Sequence, residues 1–403
     1  MLTKIVRKDG ETESQFLWRI GEEVSSGKYS WDDITPYINE QLYGNDKSKY
    51  KGESAYRKKV QAATKFYDEV FSSLIDDEYS KKIQKQRQEL EAEKIKLRDE
   101  RTEFNKDLRT KARIDESLNY LKELIINTTP YKNHDIDFID DYDDNDLIIC
   151  LSDYHLGGES KSTQISEEFN DVIAKERLER YLSKIKNIAY KNQSKNAYIF
   201  ILGDIIDGRI RYSQALSNRL NIMEQIQHAS EDISWFVYEL SKCFNTVFVT
   251  SVAGNHSRIG KKEEVLRDER LDDMIIWYMR AKLQNTSNIN FDLEDIKLDP
   301  TIAYAHIRGK HWIAVHGDFD EYSSNGVGKL SLLCGFVPYG ILCGHKHTTD
   351  FRDLSGVKYI RSGTFASGGD YVIKQRIKNG NPSQAVCVVD DYGVRAFYPV
   401  ELN

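Results

Sequence analysis

Five short motifs combine carboxylate, imidazole and amide side chains, the groups that bind divalent metals and transfer protons. They occur in the order Asp153-Tyr-His155, Gly203-Asp-Ile-Ile-Asp207, Gly254-Asn-His256, His316-Gly-Asp318 and Gly344-His-Lys-His347. Five of the nine histidines of the chain fall within them. A single motif of this kind is common in turns, whereas the ordered set of five is specific and predicts a metal-dependent site.

The donor atoms indicate which metals such a site would bind. Oxygen and imidazole donors without thiolates suit Mn²⁺, Fe²⁺ or Zn²⁺, and we take Mn²⁺ as the first choice. The motifs offer more donors than one ion can use, so two divalent ions are expected.

Each motif follows a short apolar run that is typical of a buried β-strand, and amphipathic helical stretches separate these runs. The alternation predicts an α/β sandwich. Loops at the carboxyl ends of strands are where such folds build their sites, because the sheet fixes the ligands. The five runs cover residues 147–151, 198–202, 247–252, 312–315 and 340–343.

Residues 147–365 resemble the calcineurin-like metallophosphoesterase superfamily, whose motifs read D-x-H, G-D-x-x-D, G-N-H-[D/E], H and G-H-x-H in this order. The resemblance implies a four-layer αββα sandwich. It also implies a two-metal phosphoesterase in which metal-activated hydroxide attacks the phosphorus in line, without a covalent intermediate.

The resemblance assigns a ligand role to seven residues of this sequence. Asp153, His155 and His347 would hold the first ion. Asn255, His316 and His345 would hold the second. Asp204 would bridge the two.

Other motif residues would support the reaction rather than bind metal. By the same resemblance, His256 is the general acid that protonates the leaving oxygen, while Asp207 and Asp318 lie behind the ligands. The sequence departs from the family pattern at Ser257, where an acidic residue usually orients the catalytic imidazole. Which group orients His256 is therefore open.

Three arginines follow the second and third motifs and could clamp a substrate phosphate, namely Arg209, Arg211 and Arg258. Ordinary surface charge is the alternative interpretation.

The first 75 residues have apolar residues at helical spacing and predict a small helical domain. A segment in its middle carries basic residues around Tyr50 and Tyr56, a combination that suits a phosphate backbone and stacked bases. A solvated helix start explains the same segment equally well. The basic residues are Lys47, Lys49, Lys51, Arg57, Lys58 and Lys59.

Residues 76–126 lack proline and glycine and carry an apolar residue every seventh position, which predicts one long helix. The repeat consists of Ile83, Leu90, Leu97 and Phe104. Basic residues occupy the second position of the heptad at which a coiled coil needs an apolar residue. A coiled-coil homodimer and a packed or solvent-bridging helix therefore both remain open. The acid-rich residues 127–146 read as a linker, and residues 147–403 as the catalytic domain.

The combination of a helical domain, a basic segment and a complete two-metal site favours a nuclease acting on DNA. The chain also resembles phage-borne proteins grouped with DNA-repair exonucleases. A phosphatase or phosphodiesterase for a protein, nucleotide or small ester is the alternative enzyme. A DNA-binding scaffold with an inactive site is the alternative outside enzymes.

Composition constrains these hypotheses only weakly. The net charge of −7 does not indicate nucleic-acid binding, but an average conceals local basic segments. No apolar run approaches the roughly 20 residues that span a bilayer, and the N-terminus lacks a signal-peptide pattern. We therefore expect a cytoplasmic protein without a membrane partner.

Overall fold

The computed structural model describes residues 5–71, 77–136, 142–163, 167–209, 218–260, 265–266, 269–366 and 381–403. The chain forms two compact units, residues 1–110 and 111–403. Within the described residues, no helix has the length and apolar character that crossing a bilayer requires.

The first unit contains three short helices followed by most of a long one. Thr12 and Gln15 form a reciprocal capping box at the start of α1, and the side chain of Ser30 caps α2. Phe16 and Ile38 lie in the small core that these helices enclose. The helices are α1 (Glu13–Ser25), α2 (Trp31–Tyr43) and α3 (Glu53–Phe66).

The expected long helix is present as α4 (Asp77–Ile126), which has 50 residues and spans about 75 Å at about 1.5 Å per residue. Its heptad residues Ile83, Leu90, Leu97 and Phe104 are all exposed in the single chain. Its last turns belong to the second unit, where Leu121 is buried in the main hydrophobic core.

The segment after α4 has no helix or strand in residues 127–136, yet it belongs to the second unit and packs on its helices. The backbone N–H of Tyr131 donates to the carbonyl of Lys282 at 2.9 Å, and its ring stacks on Tyr238 with centroids 4.5 Å apart. His134 Nε2 lies 2.8 Å from Ser241 Oγ. The expected linker thus lies within the second unit, where it packs against two of that unit's helices.

The second unit contains two β-sheets. The first has the strand order β11-β10-β1-β2-β3-β4, with β1 to β4 parallel and β10 antiparallel to its neighbours. The second has the order β5-β6-β7-β9-β8, in which β6, β7 and β9 are parallel. The strands are β1 (Asp146–Leu151), β2 (Asn196–Ile201), β3 (Thr246–Ser251), β4 (Ile289–Asn290), β5 (Ile302–Ile307), β6 (Lys310–Val315), β7 (Gly340–Cys343), β8 (Asp350–Leu354), β9 (Val357–Arg361), β10 (Ser383–Asp390) and β11 (Gly393–Glu401).

Helices cover the outer face of each sheet, which gives the four-layer αββα sandwich that the motifs led us to expect. Strand β1 is buried on both faces: Leu147 and Ile149 point to the helical layer, whereas Ile148 and Cys150 point between the sheets. The outer helices are α5 (Asp171–Asn192), α6 (Ile222–Ser241), α7 (Asp272–Leu283), the short α8 (Asp292–Asp295) and α9 (Ser324–Cys334).

Candidate metal centre

The loops that leave β1, β2, β3, β6 and β7 converge on one site at the carboxyl ends of these strands. The two sheets are joined there by direct contacts: His316 Nδ1, after β6, lies 2.7 Å from the carbonyl oxygen of Leu202, after β2. The backbone N–H of His345, after β7, donates to Asp153 Oδ2 at 2.9 Å. Ligand candidates from both sheets are therefore neighbours.

The first cluster consists of Asp153, His155 and His347, whose donor atoms all lie within 4.8 Å of one another. Asp153 Oδ1 is 3.2 Å from His347 Nε2 and 3.6 Å from His155 Nε2. The two imidazole nitrogens are 3.2 Å apart. These are the residues expected to hold the first ion.

The second cluster consists of Asp204, His316 and His345. His316 Nε2 lies 3.1 Å from Asp204 Oδ2 and 3.2 Å from Asn255 Oδ1, so the expected amide ligand faces the same point. A third grouping of His155, Asp204 and His256 connects the two clusters. Asp204 thus lies between them, where a bridging carboxylate would have to be.

The backbone at this site is unusual. Among the described non-glycine residues, eight have positive φ, and five of these are ligand candidates. A left-handed backbone costs a non-glycine residue about 1–3 kcal/mol and persists where the surroundings enforce it. The five are Asp153 (φ 52°), His155 (48°), Asp204 (52°), His345 (67°) and His347 (55°).

Tight loop packing enforces these conformations. A Cβ atom on Gly254 would lie 2.1 Å from the backbone nitrogen of Asp204, so only glycine allows the second and third loops to approach this closely. Gln384 on β10 ties two further segments together, the loop after β1 and the residues that follow β9. Its Nε2 donates to the carbonyls of Ser152 (2.9 Å) and Gly363 (3.1 Å), and its Oε1 accepts from Ser362 Oγ (2.8 Å).

The site concentrates negative charge and holds protons in the absence of metal. Burial lowers the pKa of His155, but Asp153 and Asp207 outweigh it and raise that pKa to about 10. Burial also opposes protonation of His316, yet Asp204 raises its pKa to about 10. Burial and the neighbouring His316 lower the pKa of His345 to about 4.

The donor set fits divalent cations. Asp153 Oδ1 is buried and accepts no hydrogen bond from any described residue, although two imidazole nitrogens face it. A cation between these groups would satisfy that oxygen, which otherwise carries the cost of a buried, unpaired acceptor. The two clusters provide carboxylate and imidazole donors, and no thiolate lies in them.

His256 is oriented by a backbone carbonyl. Its Nδ1 lies 2.7 Å from the carbonyl oxygen of Asp207, so Nδ1 carries the proton and Nε2 is the nitrogen available to a substrate or a metal. The Asp207 carboxylate is 3.5 Å from His155 Nδ1 and accepts from Asn218 Nδ2 at 2.8 Å. Asp207 therefore lies next to the ligand candidate His155, on the side of its Nδ1.

Asp272 on the first turn of α7 is a component that the sequence did not reveal. It is buried, and its Oδ2 accepts a hydrogen bond from the backbone N–H of Gly254 at 2.9 Å. Ser257 Oγ donates to the carbonyl of Gly254 at 2.9 Å. No sequence signal distinguished Asp272 from the acids that are common at helix N-termini.

The three arginines differ in their placement. Arg258 is half-buried, and its Nε donates to the carbonyl of Asn255 at 2.9 Å, next to the second cluster. Arg209 is exposed after the second motif. Arg211 lies outside the described residues. Asp318 is half-buried beside His316, and burial raises the pKa of its carboxyl.

The basic segment of the helical unit is exposed but partly neutralised. Lys49, Arg57 and Lys59 pair with Asp46, Glu53 and Glu13 at 3.0, 3.0 and 2.7 Å, respectively. Lys51 lies over the ring of Tyr43. Lys47 and Lys58 are exposed and make no ion pair with a described residue.

The expectation that both tyrosines of this segment stack on bases is wrong for Tyr56. This side chain is 1% exposed, and its hydroxyl donates to Asn39 Oδ1 at 2.6 Å. It faces inward from α3 because the small core needs a large apolar group there. Tyr50 is 37% exposed, and its hydroxyl donates to the carbonyl of Gly44 at 2.7 Å.

No protein-family model matches the chain, and no curated protein matches it. Among solved structures, it is similar to an archaeal phosphodiesterase, with 11% identity over 64% of this chain and 99% of that chain, and a TM-score of 0.30. Zinc-complexed Vps29 from Entamoeba histolytica has 10% identity over 64% and 99% of the two chains and a TM-score of 0.30.

A conserved protein from Streptococcus pneumoniae, described as a predicted phosphoesterase, has 14% identity over 64% of this chain and 93% of that chain. Its TM-score is 0.29.

Proposed function

We propose that this protein is a two-metal phosphoesterase of the calcineurin-like kind, and that its substrate is the phosphodiester backbone of DNA. The observation that carries the proposal is the pair of adjacent clusters, Asp153 with His155 and His347, and Asp204 with His316 and His345. Their residues come from four loops, and Asn255 and His256 lie on a fifth, in the order of the superfamily motifs.

The chain's own residues have distinct tasks in this proposal. The first cluster and the second cluster, with Asn255, would each hold one divalent ion, and Mn²⁺ is the first candidate, with Fe²⁺ or Zn²⁺ as alternatives. Such ions supply the charge that makes water a nucleophile at neutral pH and offsets charge developing on the phosphoryl oxygens. The Asp207 carboxylate faces His155 Nδ1 at 3.5 Å, and the Asp207 carbonyl fixes the ring of His256.

His256 is the candidate proton donor to the leaving oxygen. Its Nδ1–H donates to the Asp207 carbonyl, so Nε2 can deliver a proton only when the ring is doubly protonated, a form that burial disfavours by lowering the pKa of the imidazole. Replacing His256 with Asn should leave metal content unchanged but lower turnover by about 10²–10⁴-fold for poor leaving groups. A p-nitrophenyl leaving group needs no proton and should suffer less.

Metal analysis of the His256→Asn protein decides between two roles, because His256 also belongs to a group that could hold an ion. Loss of one ion per chain would make His256 a ligand and contradict the proton-donor role. An unchanged metal content with a leaving-group-dependent loss of rate would support it.

The choice of DNA as substrate rests on the helical unit. Lys47 and Lys58 are exposed cations outside ion pairs with described residues, and such residues bind phosphates and release counterions. A phosphatase acting on small esters would have no use for them. A DNA-binding scaffold with an inactive site would use them but would not need the two clusters.

One screen separates these functions. The full chain, supplied with Mn²⁺, should hydrolyse a DNA oligonucleotide and a small chromogenic phosphodiester faster than phosphomonoesters. Turnover of phosphomonoesters alone would favour a phosphatase. A purified protein without metal or activity would favour the scaffold.

The DNA contact has its own test. Replacing Lys47 and Lys58 with Ala should weaken binding to a fluorescent oligonucleotide and flatten the dependence of log affinity on log salt by up to about two units. The matched control replaces Lys191 and Lys195, two exposed lysines of the second unit, and changes the net charge equally. If log affinity depended equally on log salt in all three proteins, the helical unit would not contact DNA.

A further inference from the structure

A recess of about 250 Å³ opens beside the candidate metal centre, and the second-cluster ligand His316 forms part of its wall. Its floor is apolar and buried: Ile302, Val315 and Leu330 are 7%, 1% and 4% exposed, respectively. Pockets that take drug-sized ligands measure about 300–1,000 Å³, so this recess suits a single ring system.

Large apolar side chains stand exposed at the rim of the recess. Phe319, in the loop after β6, is 51% exposed, and Leu333 on α9 is 71% exposed. An exposed aromatic side chain next to a reaction centre is a stacking surface for a flat heterocycle. Together with the apolar floor, it favours a flat ligand that is apolar on its faces.

Two carboxylates also line the recess, Asp318 and Asp320, and both are half-buried. Neither makes a hydrogen bond or an ion pair with a described residue. Their negative charge repels a phosphate group, so the phosphate backbone of a substrate would stay outside the recess. Carboxylates accept hydrogen bonds only, and they therefore select a ligand that presents N–H donors at its edge.

We infer that this recess holds an unpaired nucleobase next to the scissile phosphate, and that it prefers the bases with an exocyclic amino group, namely adenine, cytosine and guanine, over thymine. This inference rests on the proposed function. The ring would lie on the apolar floor and against Phe319, and the amino group would donate to Asp320. A base held in this way is not paired, so single-stranded or frayed DNA is the preferred substrate.

The first test compares three p-nitrophenyl phosphodiesters, whose second ester group is deoxyadenosine, thymidine or methyl. With the Mn²⁺-loaded full chain, kcat/KM should be highest for the deoxyadenosine ester. It should exceed that of the thymidine ester about tenfold, because one hydrogen bond to a charged acceptor has an effect of that size. Asp320→Asn should bring the deoxyadenosine-to-thymidine ratio close to one. Phe319→Ala should lower kcat/KM for both nucleoside esters relative to kcat/KM for the methyl ester.

The matched control is Glu321→Gln, which removes the neighbouring acid that pairs with Lys329 at 2.7 Å and does not line the recess. It should leave the relative kcat/KM values of the three esters unchanged. Equal kcat/KM for the three esters with the unmodified chain would overturn the inference, as would equal ratios in the Asp320→Asn and Glu321→Gln proteins.

The second test needs no turnover and therefore separates the recess from the proposed function. Saturation-transfer NMR with free deoxyadenosine and thymidine should give stronger transfer to the adenine protons, and Asp320→Asn should abolish the difference. If no ester is hydrolysed but this difference is seen, the proposed function fails and the base site stands. If deoxyadenosine receives no saturation, the base site is refuted even when the esters turn over.

Discussion

Asp272 Oδ2 accepts a hydrogen bond from the backbone N–H of Gly254 at 2.9 Å, across 18 positions of sequence. The loop that begins at Gly254 carries Asn255 and His256, and Ser257 Oγ closes it onto the Gly254 carbonyl. An acid from α7 thus fixes this loop, while Ser257 stands where the superfamily usually has its own acid. We regard Asp272 as a positioning residue for the second cluster.

The Asp272 carboxyl should make stability depend on pH. Burial raises its pKa from 3.8 to about 6, so the folded protein binds this proton more tightly than the unfolded chain does. The contribution to stability is complete below pH 3.8 and is lost as pH rises through 6. Between pH 4.5 and 7.5, the free energy of unfolding of metal-free Asp272→Asn should gain about 2 kcal/mol relative to the unmodified protein.

Urea unfolding at both pH values measures that difference, and Asp273→Asn, at the next position of α7, is the control. A difference that does not change with pH would show that Asp272 is already ionised at low pH. A positioning role further requires that Asp272→Asn weaken binding of the second metal ion in calorimetric titration.

Metal binding should release protons. His155 and His316, whose pKa values are raised to about 10 in the metal-free site, are protonated at pH 7.5 and must lose these protons to become ligands. We expect up to two protons released per chain when Mn²⁺ saturates the site, and apparent affinity should rise with pH. Calorimetry in buffers of different ionisation enthalpy measures the number, and a value of zero would contradict this protonation state.

Histidines at the two ends of β6 provide a matched pair for testing the ligands. His316 directly follows β6 and is buried at the second cluster, whereas His311 lies on β6 and is exposed. The His316→Ala protein should bind one ion fewer per chain and lose its turnover. The His311→Ala protein should keep its metal content and its turnover.

Loss of Asp204 or His345 should abolish turnover in the same way. Excess Mn²⁺ should not rescue Asp204→Ala, because a bridging carboxylate cannot be supplied from solution. Normal turnover by Asp204→Ala would refute the two-metal arrangement.

Two truncations should behave differently. Deleting residues 1–110 removes the first compact unit and should leave hydrolysis of a small phosphodiester intact. Deleting residues 1–126 also removes Leu121, buried in the main core, and Leu124, which packs against it. Each such side chain contributes about 1.5–3 kcal/mol, so the shorter protein should melt at a lower temperature. Equal melting temperatures would mean that the end of α4 contributes nothing to the second unit.

The fold was accessible from sequence because its signals are local. Strand β1 is apolar from Leu147 to Leu151, and α4 lacks both glycine and proline over its whole length. The five motifs also predicted the cluster residues, since carboxyl ends of parallel strands share one edge. The long-range hydrogen bonds that hold the loops of the site could not be predicted. Gln384 lies more than 200 residues from Ser152, and nothing in the sequence pairs them. Tyr56 was misread because its burial depends on how α1 to α3 pack.

The left-handed backbone of five ligand candidates also bears on protein engineering. Copying the seven candidate ligand side chains onto another sheet would reproduce the chemistry of the donors but not their directions, because an ordinary strand end does not place a carboxylate or an imidazole at positive φ. A successful graft would have to carry the loops together with Gly254 and the Gln384 amide that clamp them. The transferable unit is therefore a set of interlocked turns, and a search for similar centres in unrelated scaffolds should compare backbone angles before it compares residue types.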